Sequence, residues 1–107
     1  MKRTKLLAMV MTTAIAATGA VCAANAEGIP AEDLKVGAIY IGDENEGYTA
    51  AHMAGIDEMM EKFGLDESQV IEKTLIGEDE TCYDAAADLA DQGCQIIFGT
   101  SFGHETY

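Results

Sequence analysis

The chain has 107 residues, of which 49% are hydrophobic and only 7% aromatic, with 6 basic against 19 acidic side chains and a formal charge of −13. All 19 acids lie beyond residue 26, where Lys35, Lys62 and Lys73 are the only basic residues, so this part carries −16. Such a surface repels polyanions: nucleic acid and anionic membrane surfaces are poor partners, and neutral or cationic small molecules remain open.

Residues 1–26 read as an export signal. Lys2, Arg3 and Lys5 form a basic start, "LLAMVMTTAIAATGAV" is apolar and uncharged, and Ala24-Asn25-Ala26 offers a small-x-small cleavage site. The expected location is therefore extracytoplasmic. A membrane-spanning helix is the rival reading, but it wants about 17 or more strongly apolar residues, and Thr12, Thr13, Thr18 and Gly19 dilute the stretch. Cys22 raises the alternative of a lipid-anchored protein, although the preceding "GAV" lacks the usual leucine and small final residue.

Residues 27–34, "EGIPAEDL", form a polar lead-in with the only proline, and residues 35–107 read as one small domain or part of a larger one. "KVGAIYI" (35–41) is a nearly unbroken apolar run, the mark of a strand buried on both faces; "QVIEKTLI" (69–76) and "CQIIF" (94–98) repeat it. Between the first two runs, Tyr48 to Phe63 places Met53, Ile56, Met59, Met60 and Phe63 on a helical stripe that Gly64 closes. Between the last two, Thr81 to Gln92 places Cys82, Ala85, Ala86 and Leu89 on one face. Glu78, Asp79 and Glu80 precede that helix, where its dipole favours negative charge.

Strand, helix, strand, helix, strand predicts an α/β fold with a parallel βαβαβ sheet and right-handed crossovers. Each strand run reaches a glycine, Gly42, Gly77 or Gly99, and then a polar loop, which sets three loops at the carboxyl edge, where open α/β sheets bind ligands. A three-stranded parallel sheet leaves apolar edges uncovered, so the chain is expected to be a fragment of a larger lobe, cut in the loop that ends at Tyr107. Cys82 and Cys94 stand twelve residues apart across the second helix, on the order of 18 Å at 1.5 Å per residue, too far to bridge, and both read as packed thiols.

The chemistry of the edge is read by elimination. "GDENEG" has the outline of a phosphate loop, but Tyr48 and Thr49 stand where lysine and Ser/Thr belong, and its three acids repel phosphate. Asp43, Asn45 and Gly47 start like a calcium loop, yet Ala54 occupies the place of the bidentate glutamate. Ser101 lies in "GTSFG", outside any G-x-S-x-G elbow, and no motif ties it to His52 or His104. No cofactor or metal set is apparent. What remains is an uncharged site: Tyr48 and Phe102 as rings, and Asn45, Thr49 and Ser101 as hydrogen-bonding groups. On spacing alone, rings that merely cover the end of the sheet fit equally well.

"VGAIYIGDENEGYTAAHMAG" followed by "DLADQGCQIIFGTSFGHE" resembles the N-terminal lobe of the basic membrane protein family, the purine-nucleoside-binding type of ABC transporter substrate-binding proteins. Two motifs carry the resemblance, Gly47-Tyr48-Thr49-x-Ala51-His52-x-x-Gly55 and Ile97 to Gly103, within a match that spans 35–107. It implies a truncated N-terminal lobe, roughly the first third, of a two-lobed type I periplasmic-binding-protein fold, a nucleoside-like solute, a membrane permease as partner, and no catalysis. Many members carry Asp-x-x-aromatic-Asn in the first loop; here Tyr48 takes the aromatic place, Asn45 stands for the aspartate and Thr49 for the asparagine. The alternatives are an exported ligand-sensing domain and a doubly wound nucleotide-using enzyme.

Overall fold

A computed structural model describes residues 28–107; the expected export segment, 1–26, with its candidate lipidation site Cys22, lies outside the described residues. In chain order come β1 (Val36–Ile39), α1 (Gly47–Phe63), β2 (Val70–Lys73), α2 (Glu80–Asp91) and β3 (Ile96–Gly99). The strands form one parallel sheet in the order β2-β1-β3. Val36 sits opposite both Val70 and Ile96, so all three strands start level and their carboxyl ends emerge together. The α/β class and βαβαβ order expected from the sequence are those observed.

β1 occupies the centre, paired along both edges and covered on both faces. Val36, Ala38, Ile39 and Tyr40 are all buried. The expectation that the other two strands are buried in the same way fails. Each pairs on one side only, and Ile96 and Phe98 of β3 keep about two fifths of their surface exposed. An apolar run reports what a strand is made of; its neighbours decide how much of it is covered.

Each strand is four residues long, shorter than its apolar run. β2 stops at Lys73 because Leu75 adopts a left-handed conformation, φ 57°, which is costly for a side chain branched at Cγ. The kink is spanned by hydrogen bonds on either side: Tyr40 N–H donates to Lys73 O at 2.8 Å and Ile76 N–H to Tyr40 O at 2.9 Å. Gly77 therefore follows a bulge rather than ending a strand, yet the loop it opens still leaves from the carboxyl edge.

Both helices begin on acidic caps. Glu46 accepts from Tyr48 N–H and Thr49 N–H, each at 2.8 Å, and Asp79 accepts from Thr81 N–H at 2.9 Å, which satisfies donors that the first helical turn leaves free. Gly64 ends α1 at φ 67°. Cys82, Ala85 and Leu89 of α2 are buried against Ile39, as the stripe predicts. On α1 only Ile56 of the predicted stripe is fully buried: Met53, Met59 and Met60 are half-buried, and Phe63 is exposed. Cys82 and Cys94 are free thiols, and burial raises the pKa of each. The lead-in is tied down by Gln69, whose Nε2 donates to Ala31 O and Leu34 O, both at 2.8 Å.

Candidate functional site

The first loop, between β1 and α1, consumes most of its polar groups internally. Asp43 Oδ1 accepts from Asn45 N–H at 2.9 Å and from Asn45 Nδ2 at 3.2 Å, an Asx turn that folds the asparagine back on its own loop. Glu46 is spent on the cap, and its bonds from Thr49 N–H and Tyr48 N–H hold its carboxyl below the usual range. Thr49 is fully buried, with its Oγ1 accepting from Gly42 N–H at 3.1 Å. A Cβ at Gly42 would fall 2.9 Å from that oxygen, which explains the glycine. Asp43 thus shapes the turn and Glu46 starts the helix.

Tyr48 is the residue that this turn presents outward. Its ring is half exposed and meets the His52 ring edge-on, with centroids 4.7 Å apart and planes at 70°. Its hydroxyl donates to Thr100 O, which links the first loop to the third. Thr100 in turn is bound to the end of β1: its N–H reaches Ile39 O at 3.2 Å and its Oγ1 the same oxygen at 2.9 Å.

The third loop runs from Gly99 through the short 3₁₀ segment Phe102–Thr106. Phe102 stands 89% exposed. Ser101 Oγ donates to Glu78 Oε1 at 2.5 Å, and Gly103 N–H donates to the same oxygen at 2.8 Å. His104 is buried: its Nδ1 accepts from Ser101 N–H at 3.4 Å, so Nε2 carries the proton and donates to Ile76 O at 3.0 Å. Both ring nitrogens are thereby engaged with the backbone, and neither addresses the Ser101 hydroxyl. That geometry lacks the nucleophile-to-base hydrogen bond of hydrolytic serine sites.

Tyr48, Thr100, Ser101, Phe102, His104 and Glu105 surround an open cleft of about 550 Å³ at the carboxyl edge. No family model and no curated protein matches the chain. Of the five residues singled out in the sequence, Tyr48, Ser101 and Phe102 line the cleft. Asn45 and Thr49 do not: Asn45 is held against Asp43, and Thr49 is buried behind the turn as its internal brace. Thr49 has spent its hydroxyl on the Gly42 backbone, and Asn45 is turned toward Asp43 through its Nδ2, because short polar side chains bond to groups of their own loop first.

Sequence reasoning missed Thr100, Glu105 and Glu78. Thr100 contributes its carbonyl oxygen, which no side-chain pattern reveals. Glu78 was read as a helix-dipole residue, although its position next to Gly77, on a loop at the same edge as Ser101, was the available signal. Among the described residues no group of three or more His, Cys, Asp or Glu side chains is arranged to hold a metal ion.

Proposed function

We propose that this chain is part of an exported solute-binding protein of an ABC importer, built on the type I periplasmic-binding-protein plan, that captures a nucleoside or a similar small planar solute. The observation that carries the reading is the bond from the Tyr48 hydroxyl to Thr100 O, which draws two loops into one cleft with an aromatic side chain from each. A planar base stacks on such rings without needing charge, and stacking contributes about 1–3 kcal/mol per base. Ser101 and the Glu105 carboxylate offer polar contacts for hydroxyl groups, and a lining that includes Glu105 but no lysine or arginine disfavours phosphorylated ligands. Thr49 and Asn45 serve the reading as supports of the Tyr48 turn. A second lobe closing over the cleft would bury the exposed side of the solute and present the closed form to a membrane permease.

The test is heteronuclear NMR of the chain titrated with nucleosides, nucleoside monophosphates, sugars and amino acids, since a one-sided cleft binds weakly and chemical shifts register weak binding. Nucleosides are expected to move the signals of Tyr48, Thr100 and Phe102, and Tyr48→Ala to weaken that binding by about 1–3 kcal/mol. Shifts caused by a sugar or an amino acid, with none from any nucleoside, would overturn the reading.

A further inference from the structure

The loop after β2 lines none of the cleft, yet one of its side chains holds the cleft wall. Glu78 Oε1 accepts both the Ser101 hydroxyl, at 2.5 Å, and Gly103 N–H, at 2.8 Å, and so brackets Phe102 from its two neighbours. The fit extends to the backbone. A Cβ at Gly103 would lie 2.3 Å from Glu78 Cδ and 2.6 Å from its Cβ and Cγ, so the glycine is the seat of the glutamate side chain. Ile76 O, two residues before Glu78, accepts a hydrogen bond from His104 Nε2–H at 3.0 Å, which makes a second attachment between the same two loops.

We infer that Glu78 is the positioning residue of the cleft: it clasps the third loop through Ser101 and Gly103 and thereby sets where Phe102 and the Thr100 carbonyl stand. The clasp has a chemical signature. Bonds from the Ser101 hydroxyl and Gly103 N–H hold the Glu78 carboxyl below its ordinary pKa. A carboxyl depressed by folding adds stability above its unfolded pKa and loses it as pH falls through the folded value, so acid weakens the clasp to that of a neutral acceptor. The other titratable groups around it are His104, whose Nδ1 accepts from Ser101 N–H and whose titration the Glu78→Gln variant leaves in place, Asp79, at the cap of α2, and Cys82, whose thiol faces His104 O at 3.9 Å. Asp79 is likewise held ionised by Thr81, and burial keeps the Cys82 thiol protonated through the acid range, so neither releases the loop in its place.

That the clasp tunes solute capture rests on the cleft being the binding site; that it fixes the loop does not. The experiment is an amide-resolved pH titration of the isotopically labelled full chain, with and without a nucleoside. The Gly103 amide signal is expected to move with a single acid-range titration that disappears in Glu78→Gln, while hydrogen-exchange protection of Gly103 N–H survives in that variant because the Gln carbonyl still accepts. Glu78→Ala is expected to lose that protection and to broaden or shift Phe102. Gly103→Ala should disturb the loop in the wild-type background and be tolerated beside Glu78→Gly, because the clash is with the glutamate side chain from its Cβ outward. A Gly103 amide indifferent to pH in the unmutated chain, which requires no variant to fold, overturns the inference. A Gly103 titration without any nucleoside shift leaves the clasp standing and overturns the binding reading instead.

Discussion

Toward α2, β1 presents Gly37 and Ile39; toward α1 it presents Ala38 and Tyr40, and the two helices answer these faces differently. Leu89 is fully buried and approaches so closely that a Cβ on Gly37 would lie 2.9 Å from its Cδ1. On the other face α1 covers Ala38, Tyr40 and Val70 with Ile56 and three methionines, and leaves β3 largely bare: Phe63, Ile96 and Phe98 border an apolar groove of about 520 Å³. Even the buried part of this face is incompletely satisfied, since the Tyr40 hydroxyl lies near the Glu72 carboxyl without forming a well-aligned hydrogen bond. Small residues on α2 permit a close approach and tight packing; long, flexible methionines on α1 fill an uneven space.

The sharpest way to break the contrast is to remove matched side chains from the two faces. Leu89→Ala should cost about 3 kcal/mol in a denaturant titration, because the well-packed side of the sheet cannot collapse into the cavity. Gly37→Ala should cost roughly 2 kcal/mol by overpacking against Leu89, and Leu89→Ala in the same chain should recover much of it. Phe98→Ala, on the bare side, should fall within about 0.5 kcal/mol of the parent. A Phe98 effect as large as that of Leu89 would show the two faces to be equally packed.

Between these extremes lies a titration. Burial, followed by repulsion from Asp57, raises the pKa of Glu72, and the nearby Tyr40 hydroxyl only partly offsets it. A carboxyl raised by folding favours the native state while protonated and opposes it once ionised, so its penalty appears as pH rises past the unfolded value and is complete above the folded one. Glu72→Gln should therefore raise the melting temperature at pH 7, by an amount that shrinks as pH falls into the acid range. A gain equal at both pH values would place its cause elsewhere than in the charge.

The legible parts of the fold were those set by local periodicity. The apolar run at 35–41, the α2 stripe of Cys82, Ala85 and Leu89, the acidic cap Asp79 and the stop at Gly64 all follow from which side chains recur at which spacing. The strand ends were less so, because the left-handed turn at Leu75 has no signature in a residue type that avoids it. In the site, Tyr48, Ser101 and Phe102 could be found from their place after strand runs. The engagement of Asn45 with Asp43 and of Thr49 with Gly42 could not, since a hydrogen-bonding group looks the same in a sequence whether it is free or already occupied.

By itself the sequence determined an acidic α/β chain with a parallel sheet whose loops gather at one edge, because hydrophobic period and turn chemistry are local properties. Only the tertiary structure decided which of the polar groups at that edge stay available. Glu78 and Ser101 are 23 residues apart, and Tyr48 and Thr100 are 52 apart. Their pairing depends on β1 lying between β2 and β3, a strand order that places the three loops side by side and that no local pattern encodes.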